Sequence, residues 1–259
     1  MINEDIQTAL IIEDDADWDV FIKSQLVELA HGTRYLQDAE YKTTESPYGD
    51  DWDLIWLGHC GTRNREWEDQ KYYVMHDDPT AVPQKLWGYP RRQPNLSPPA
   101  LTGNHTRVVL DVVRGLCTFS YALSLRGAKK LLYHQSMNGG AAPSDRALQR
   151  VCNDHFMDFK CFAPYPHLIG THKSAGYTAK DSDREDKSSR GAFRETAETG
   201  QIVFSTRLNL GRLMAGEKTV LSQWPNDTML SEIELGTKLP KGRGVFVTKD
   251  QYQPFERPR

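Results

Sequence analysis

The hydrophobic positions fall into short runs separated by polar stretches. The first, Ala9-Leu10-Ile11-Ile12, has no polar alternation, the pattern of a strand covered on both faces at the centre of a parallel sheet. Trp18, Ile22, Leu26 and Leu29 follow at helical spacing and predict a helix from Asp17 to about Ala30. Trp52-Asp53-Leu54-Ile55-Trp56-Leu57-Gly58 predicts a second buried strand, ending in the turn Gly58-His59-Cys60-Gly61, where backbone can approach a ligand closely. Cys117 to Ser124 reads as a third strand and Arg126 to Gln135 as the helix after it. Beyond a break at Gly139-Gly140, Pro143-Ser144-Asp145 opens another amphipathic helix carrying Ala147, Leu148, Val151 and Cys152, and Phe159 to Ile169 reads as a final strand. Strands alternating with helices predict the α/β class.

Two stretches interrupt that alternation. Asp77 to Arg107 is rich in Pro, Gly and Asn, with isolated aromatics such as Trp87 and Tyr89. It is too long for an ordinary connection, and reads equally as a flap over an acceptor site or as an irregular surface excursion. Lys180 to Glu198 mixes charges of both signs with Ser and Gly, the composition of a solvated loop. Past it, Ile202-Val203-Phe204 and Val245-Phe246-Val247 are short apolar pieces without an assignable motif. The expected organisation is a main domain over residues 1–178, a flexible charged loop over 179–200 and an extension over 201–259.

Composition narrows the class further. A chain of 259 residues with 38% hydrophobic content is long enough for one large α/β core, or a core plus a small lobe. The net charge is −3 and the basic residues are scattered along the chain, which gives no footprint for nucleic acid. Cys60, Cys117, Cys152 and Cys161 are too widely spaced for a zinc knuckle and too few for a disulfide framework. They read as buried thiols with room for one bridge. No run reaches transmembrane length, so no membrane segment is expected, and Met1 to Asp5 does not open a signal peptide. Read literally, the chain is soluble and cytoplasmic. The glycosylation sequons at Asn95, Asn104 and Asn226 point the other way, to a secretory origin.

The candidate chemistry sits at the end of the first strand, where Glu13, Asp14, Asp15 and Asp17 place four carboxylates in five residues. The carboxyl ends of strands are where open α/β sheets bind ligands. A hard divalent cation, Mg²⁺ or Mn²⁺, offsets the mutual repulsion of such a cluster. Asp17 has a second reading as a helix N-cap, with Asp19 favourable to the helix dipole, but that leaves Glu13, Asp14 and Asp15 unexplained. On pattern alone, Asp145 or Ser144 is an ordinary N-cap.

Several of these pieces, taken in order, resemble glycosyltransferase family 25, the group of lipopolysaccharide and collagen galactosyltransferases, and especially its fungal members. Glu13-Asp14-Asp15 stands where the family has its acidic motif, and Trp52 to Gly58 matches its next strand. Tyr121-Ala122-Leu123-Ser124 with Gly127-Ala128-Lys129-Lys130-Leu131 matches its strand-helix signature, and Pro143-Ser144-Asp145 with Leu148 its following acidic position. Pro166 to Gly170 and Ser174 to Tyr177 are also similar to the fungal version, and the likeness covers roughly residues 5 to 180.

The resemblance implies a GT-A-like, Rossmann-like fold, with a mostly parallel sheet flanked by helices. It implies a UDP-sugar donor, with galactose the expected hexose, transferred with inversion to a hydroxyl of a glycan or glycoprotein in the Golgi or ER lumen. Under it Asp15 is a direct ligand of Mn²⁺ or Mg²⁺, with Asp17 beside it, and Glu13 and Asp14 contact the ribose or the groups around the ion. Asp145 becomes the base, and His172 or His167 completes the metal site. In the family a long segment with the first nucleotide-binding strands precedes the acidic motif, whereas twelve residues do here. The expected fold is therefore N-terminally truncated, with the acidic strand at a sheet edge. Two other readings stand beside this one. One is an inactive family member serving as a binding protein. The other is a degenerate receiver-like signalling module, since the start also resembles a response-regulator receiver, with Gly58 and His59 where the phospho-acceptor Asp belongs.

Overall fold

A computed structural model describes residues 1–88, 90–137, 142–178, 181 and 192–254. In chain order the elements are β1 (Thr8–Ile12), β2 (Ala16–Trp18), α1 (Ile22–Leu36), β3 (Leu54–Gly58), β4 (Gly61–Arg63), β5 (Gln70–Met75), β6 (Arg107–Asp111) and β7 (Arg114–Leu116). There follow β8 (Ser120–Ser124), α2 (Leu125–Met137), α3 (Ser144–Asn153), β9 (Cys161–Tyr165), β10 (Ile169–Lys173), β11 (Gly176–Tyr177), β12 (Phe193–Arg194) and β13 (Glu198–Thr199). The last are α4 (Leu210–Met214), β14 (Thr219–Leu221), β15 (Glu232–Glu234) and β16 (Arg243–Val247).

The main sheet has the order β1-β8-β3-β9-β6-β5-β16. The class is α/β, but the sheet is mixed and mostly antiparallel, against the mostly parallel expectation. Only β3 and β9 run parallel; the other pairings are antiparallel. A continuous apolar run reports burial on both faces and carries no information on strand direction. All five residues of β3 are buried, as its sequence predicts. β1 behaves differently: it is the outer strand, paired only with β8, and Leu10 and Ile12 are 53% and 43% exposed. The reason is the position of α1, which packs over β5 and β6 instead of β1. The uncovered sheet face beside β1 opens as a cleft of about 600 Å³ lined by Leu10, Leu26, Ile55, Ala122 and the 45–50 segment.

The opposite face carries the larger core, in which Leu54, Trp56, Leu110 and Leu123 pack with Leu148 and Val151 of α3 and Leu131 of α2. α1 begins at Ile22, five residues after the expected start, because Ala16–Trp18 is drawn into an antiparallel pair with β10. Asp17 is therefore a strand residue and caps no helix. At α3 the N-cap position is held by Pro143; neither Ser144 nor Asp145 makes a side-chain cap. The break at Gly139-Gly140 lies outside the described residues.

Residues 77–107, apart from Tyr89, which lies outside the described residues, form an irregular but well-packed segment with Val82 and Leu101 fully enclosed. Arg107 holds it down. Its five N–H groups reach the Asp78 carboxylate, the Pro166 and His167 carbonyls, and the carbonyl and hydroxyl of Thr80. Residues 201–254 are likewise built into the fold. Val203, Phe204, Val220 and Ile233 enclose Phe21 and Val82 in a third cluster, and β16 completes the sheet beside β5. Of the expected charged loop, 179–180 and 182–191 lie outside the described residues. The remainder pairs β12 with β11 and β13 with β10, and Arg194 grips Asp181 through two hydrogen bonds at 3.0 and 2.7 Å.

The cysteines correct the thiol expectation: Cys60 is bonded to Cys117 and Cys152 to Cys161. The first bridge joins the two ends of the β4–β7 ribbon, and the second ties α3 to the start of β9. Among the sequons, Asn104 and Asn226 are exposed, whereas Asn95 is buried and hydrogen-bonded to Glu66 and the Gln253 carbonyl. Among the described residues, no helix is long and apolar enough to cross a membrane.

Candidate functional site

The acidic turn connects β1 to β2, closed by the Ala16 N–H donating to the Glu13 carbonyl at 3.1 Å. β2 then runs antiparallel to β10, with Gly170 opposite Asp17 and Thr171 opposite Ala16, and the ladder continues as the His172 N–H donating to the Asp15 carbonyl at 2.8 Å. On its other side β10 pairs with β13, setting Thr199 opposite His172. Directly opposed residues of an antiparallel pair share a face, as do residues two apart on one strand. Asp15, Asp17, His172 and Thr199 therefore lie on one face of this small sheet.

Asp17, expected among the metal ligands, has another task. It is 1% exposed, and its carboxylate accepts four protein donors. Oδ1 takes the Trp18 and Arg207 N–H groups at 2.8 and 3.2 Å; Oδ2 takes the Thr199 hydroxyl at 2.7 Å and the Ser205 hydroxyl. A carboxylate offers about four lone-pair sites, so Asp17 has none left for an ion. It instead ties β2, β13 and residues 205–207 together.

That knot also orients His172. The Thr199 hydroxyl spends its proton on Asp17, so toward His172 Nδ1, 3.2 Å away, it can only accept. Nδ1 must then carry the hydrogen, which leaves Nε2 as a lone pair with no partner among the described residues. Burial holds the His172 imidazole below its ordinary pKa, partly opposed by Asp17 and Asp15 and reinforced by Arg207 and Arg194. The ring is therefore neutral at physiological pH, the form that binds metals. Asp15, partly buried, has its carboxyl raised by burial, with Asp14 adding to the shift and Arg207 and Lys173 opposing it. No other side chain among the described residues bonds its carboxylate.

Glu13 and Asp14 are exposed. Glu13 Oε1 accepts the Thr118 hydroxyl at 2.9 Å, and the Glu13 N–H donates to the Phe119 carbonyl. The Asp14 carbonyl accepts the Arg207 guanidinium at 2.8 Å. Asp145, in the first turn of α3, reaches the same 117–119 segment. Its Oδ2 lies 3.4 Å from the Cys117 N–H, while Oδ1 accepts the Arg146 N–H at 2.8 Å. The acidic turn and Asp145 thus both contact one short stretch of chain.

His167, the alternative metal ligand, is enclosed: Nδ1 faces the His59 carbonyl at 2.9 Å and Nε2 the Gly200 carbonyl at 3.1 Å. Both nitrogens are occupied, and burial pushes the ring down to about 4. Among the described residues no group of three or more His, Cys, Asp or Glu side chains is placed to hold a metal ion. Asp15 and His172 remain as an open pair. Sites of Mg²⁺ and related ions commonly use one or two protein ligands and fill the rest with water and substrate phosphate, so this pair fits such an ion only together with a phosphorylated ligand. Thr199, Ser205 and Arg207, which shape the site, were not singled out in the sequence, because nothing local distinguishes them from ordinary polar residues after an apolar run.

Comparison with family models, with curated proteins and with solved structures finds no match for this chain.

Proposed function

We propose that the chain is a metal-dependent inverting glycosyltransferase of family 25 type, moving a hexose from a UDP-sugar to a hydroxyl of a glycan or glycoprotein. The observation that carries this reading is the grouping of residues remote in sequence. The Asp15 carbonyl pairs with the His172 N–H where the turn meets β10, and Glu13 and Asp145 both bond the 117–119 segment. The GT-A assignment is part of the same proposal. An acidic turn at the end of an outer strand, β1, is its support.

Asp15 and His172 Nε2 are the groups that would hold Mn²⁺ or Mg²⁺, and a bound divalent ion supplies Lewis-acid stabilisation of the departing diphosphate. Asp17 keeps His172 in the tautomer that presents Nε2. Glu13, with Oε1 engaged by Thr118, keeps Oε2 for a ribose hydroxyl. Asp145 takes the proton of the acceptor hydroxyl, its carboxylate oriented by the Cys117 and Arg146 N–H groups. Two disulfides and the exposed Asn104 and Asn226 sequons support an oxidising, Golgi or ER, setting.

The alternative, an inactive family member that serves as a binding protein and has no nucleotide affinity, draws support from the small number of converging ligands. Calorimetric titration of UDP with and without Mn²⁺ separates the two. We expect Mn²⁺-dependent binding that Asp15→Ala abolishes and Asp145→Asn retains, with transfer lost in both variants. A folded wild-type chain that binds no UDP in Mn²⁺ would refute the transferase.

A further inference from the structure

The basic residues that are scattered in sequence gather in space on the far side of β4 and β7. These two strands form a separate antiparallel ribbon, with Thr62 opposite Gly115 and Arg63 opposite Arg114. The Thr62–Gly115 row faces inward: both are buried, and a Cβ at Gly115 would lie 2.3 Å from the Trp56 ring. With that row fixed against Trp56, the alternation of the pleat turns Gly61, Arg63, Arg114 and Leu116 outward together. They floor a cleft of about 310 Å³ walled by Arg91, Arg92 and Gln149 of α3. That volume lies at the lower end of the range for ligand clefts, about 300–1,000 Å³.

The charge distribution in this cleft is one-sided. Among the described residues, four arginines and no carboxylate line it. Like charges directly opposite across an antiparallel pair are destabilising, yet Arg63 and Arg114 are so placed. Arg63 donates to the Arg91 carbonyl at 2.8 Å, which draws the 90–92 turn over the ribbon and brings a further guanidinium in. The approach is close: Gly61, at φ +145°, would with a Cβ meet the Arg92 carbonyl at 2.4 Å. Among the described residues the Arg91 and Arg114 guanidinium groups form no hydrogen bond and no ion pair. The adjoining surface continues basic along α3 with Arg146 and Arg150, and Asp154 lies at its far end. The Cys60–Cys117 bridge closes the root of the ribbon, where the Cys60 N–H also donates to the Leu116 carbonyl. The arginines therefore stand on a cross-linked frame.

We propose that this cleft is a binding site for a tetrahedral oxyanion, a phosphate or sulfate group, held between Arg91 and Arg114 with Arg63, Arg92 and Gln149 around it. Guanidinium groups bind such oxygens through paired, charge-assisted hydrogen bonds. A chain of net charge −3 that concentrates four arginines on one small concavity selects anions locally without attracting them over its whole surface. The site stands apart from the Asp15–His172 pair and does not rest on the transferase reading. Gln149, which walls it, lies one turn along α3 from Asp145, so an anionic group on a larger saccharide would be seated against the helix that carries that carboxylate.

The test is calorimetric titration of inorganic pyrophosphate into the full chain at low ionic strength, with a chelator present so that no divalent ion contributes. We expect one-site binding that is weakened about tenfold or more by Arg114→Ala and by Arg91→Ala, lost in Arg114→Glu, and unchanged in Asp15→Ala. Both arginines are exposed, and circular dichroism of each variant serves as the check that it folds. Parallel titration with a sulfated disaccharide separates the two sources of the anion: tighter binding of either, lost with Arg114, supports the site and assigns the ester. Absence of binding to both probes, or binding indifferent to Arg114 and Arg91, overturns the proposal. So does a single-stranded oligonucleotide that binds far more tightly than either probe, with a salt dependence reporting many phosphate contacts.

Discussion

Two aspartates two residues apart illustrate how differently the same side chain is used here. Asp15 is partly open with no side-chain partner among the described residues, whereas Asp17 is enclosed by four donors. Asp17→Asn replaces one acceptor oxygen by a donor facing N–H or O–H groups, and is expected to lower unfolding stability by about 2–3 kcal/mol in urea titrations. Asp15→Asn is expected to leave stability nearly unchanged while removing Mn²⁺-dependent UDP binding. Asp19, fully enclosed, is pushed up to about 7 by burial, although the Phe21 and Phe204 N–H groups oppose the shift. Its folded pKa exceeds the ordinary 3.8, so between about pH 4 and 7 the native chain keeps a proton that the unfolded chain has released. Its contribution to stability therefore falls as pH rises through that window. His59 and His167 act oppositely: burial pushes them down to about 3 and about 4, so both favour the fold as pH rises toward 6.5. Asp19→Asn removes only the first effect. Relative to wild type, thermal melts should show the variant gaining stability from pH 5 to pH 8, and a constant difference would refute the assignment.

Among the elements, the irregular segment 77–107 is tied most heavily by one side chain, Arg107. The Arg107–Asp78 pair is buried, at 2.9 Å with both side chains 4% exposed, and Arg107 also serves four further acceptors. Removing one member of a buried pair leaves an uncompensated charge, so Arg107→Met is expected to cost about 3–5 kcal/mol. It should also raise amide exchange selectively between residues 78 and 106. Uniform loss of protection would instead mean that the segment unfolds only with the whole chain. β1 shows the converse case of an element with few partners. It holds Leu10 and Ile12 outward on the sheet's edge, yet delivers the acidic turn to β10 through two strands' worth of pairing. The value of β1 to the site lies in where it ends, not in how well it is covered.

For the molecule as a whole, the two disulfides close loops of very different length. Cys60 and Cys117 are 57 residues apart and Cys152 and Cys161 are 9 apart. The chain-entropy relation assigns about 4 kcal/mol to the first and about 2.5 kcal/mol to the second. Cys60→Ala with Cys117→Ala should therefore lower the denaturation midpoint more than Cys152→Ala with Cys161→Ala, a comparison that denaturant titration makes directly. The elements with strong local patterns were legible before the fold was known: β3, β8, α2 and α3 lie close to where periodicity puts them. The acidic turn was legible too, whereas His172 entered only through the family resemblance, as one of two histidines. The run at β1 and the helix start at Asp17 misled, because an apolar run does not reveal which neighbour will cover it, and a strand pairing 150 residues away outcompeted the cap. The partners of the cysteines, the closing of Asp17 by Thr199, Ser205 and Arg207, and the gathering of Arg63, Arg91, Arg92 and Arg114 left no local trace. Side-chain chemistry and local periodicity, being properties of adjacent residues, were determined by the sequence alone. Which carboxylate is open, which histidine offers a lone pair and which arginines meet were decided only by tertiary structure, because each depends on contacts between strands far apart along the chain.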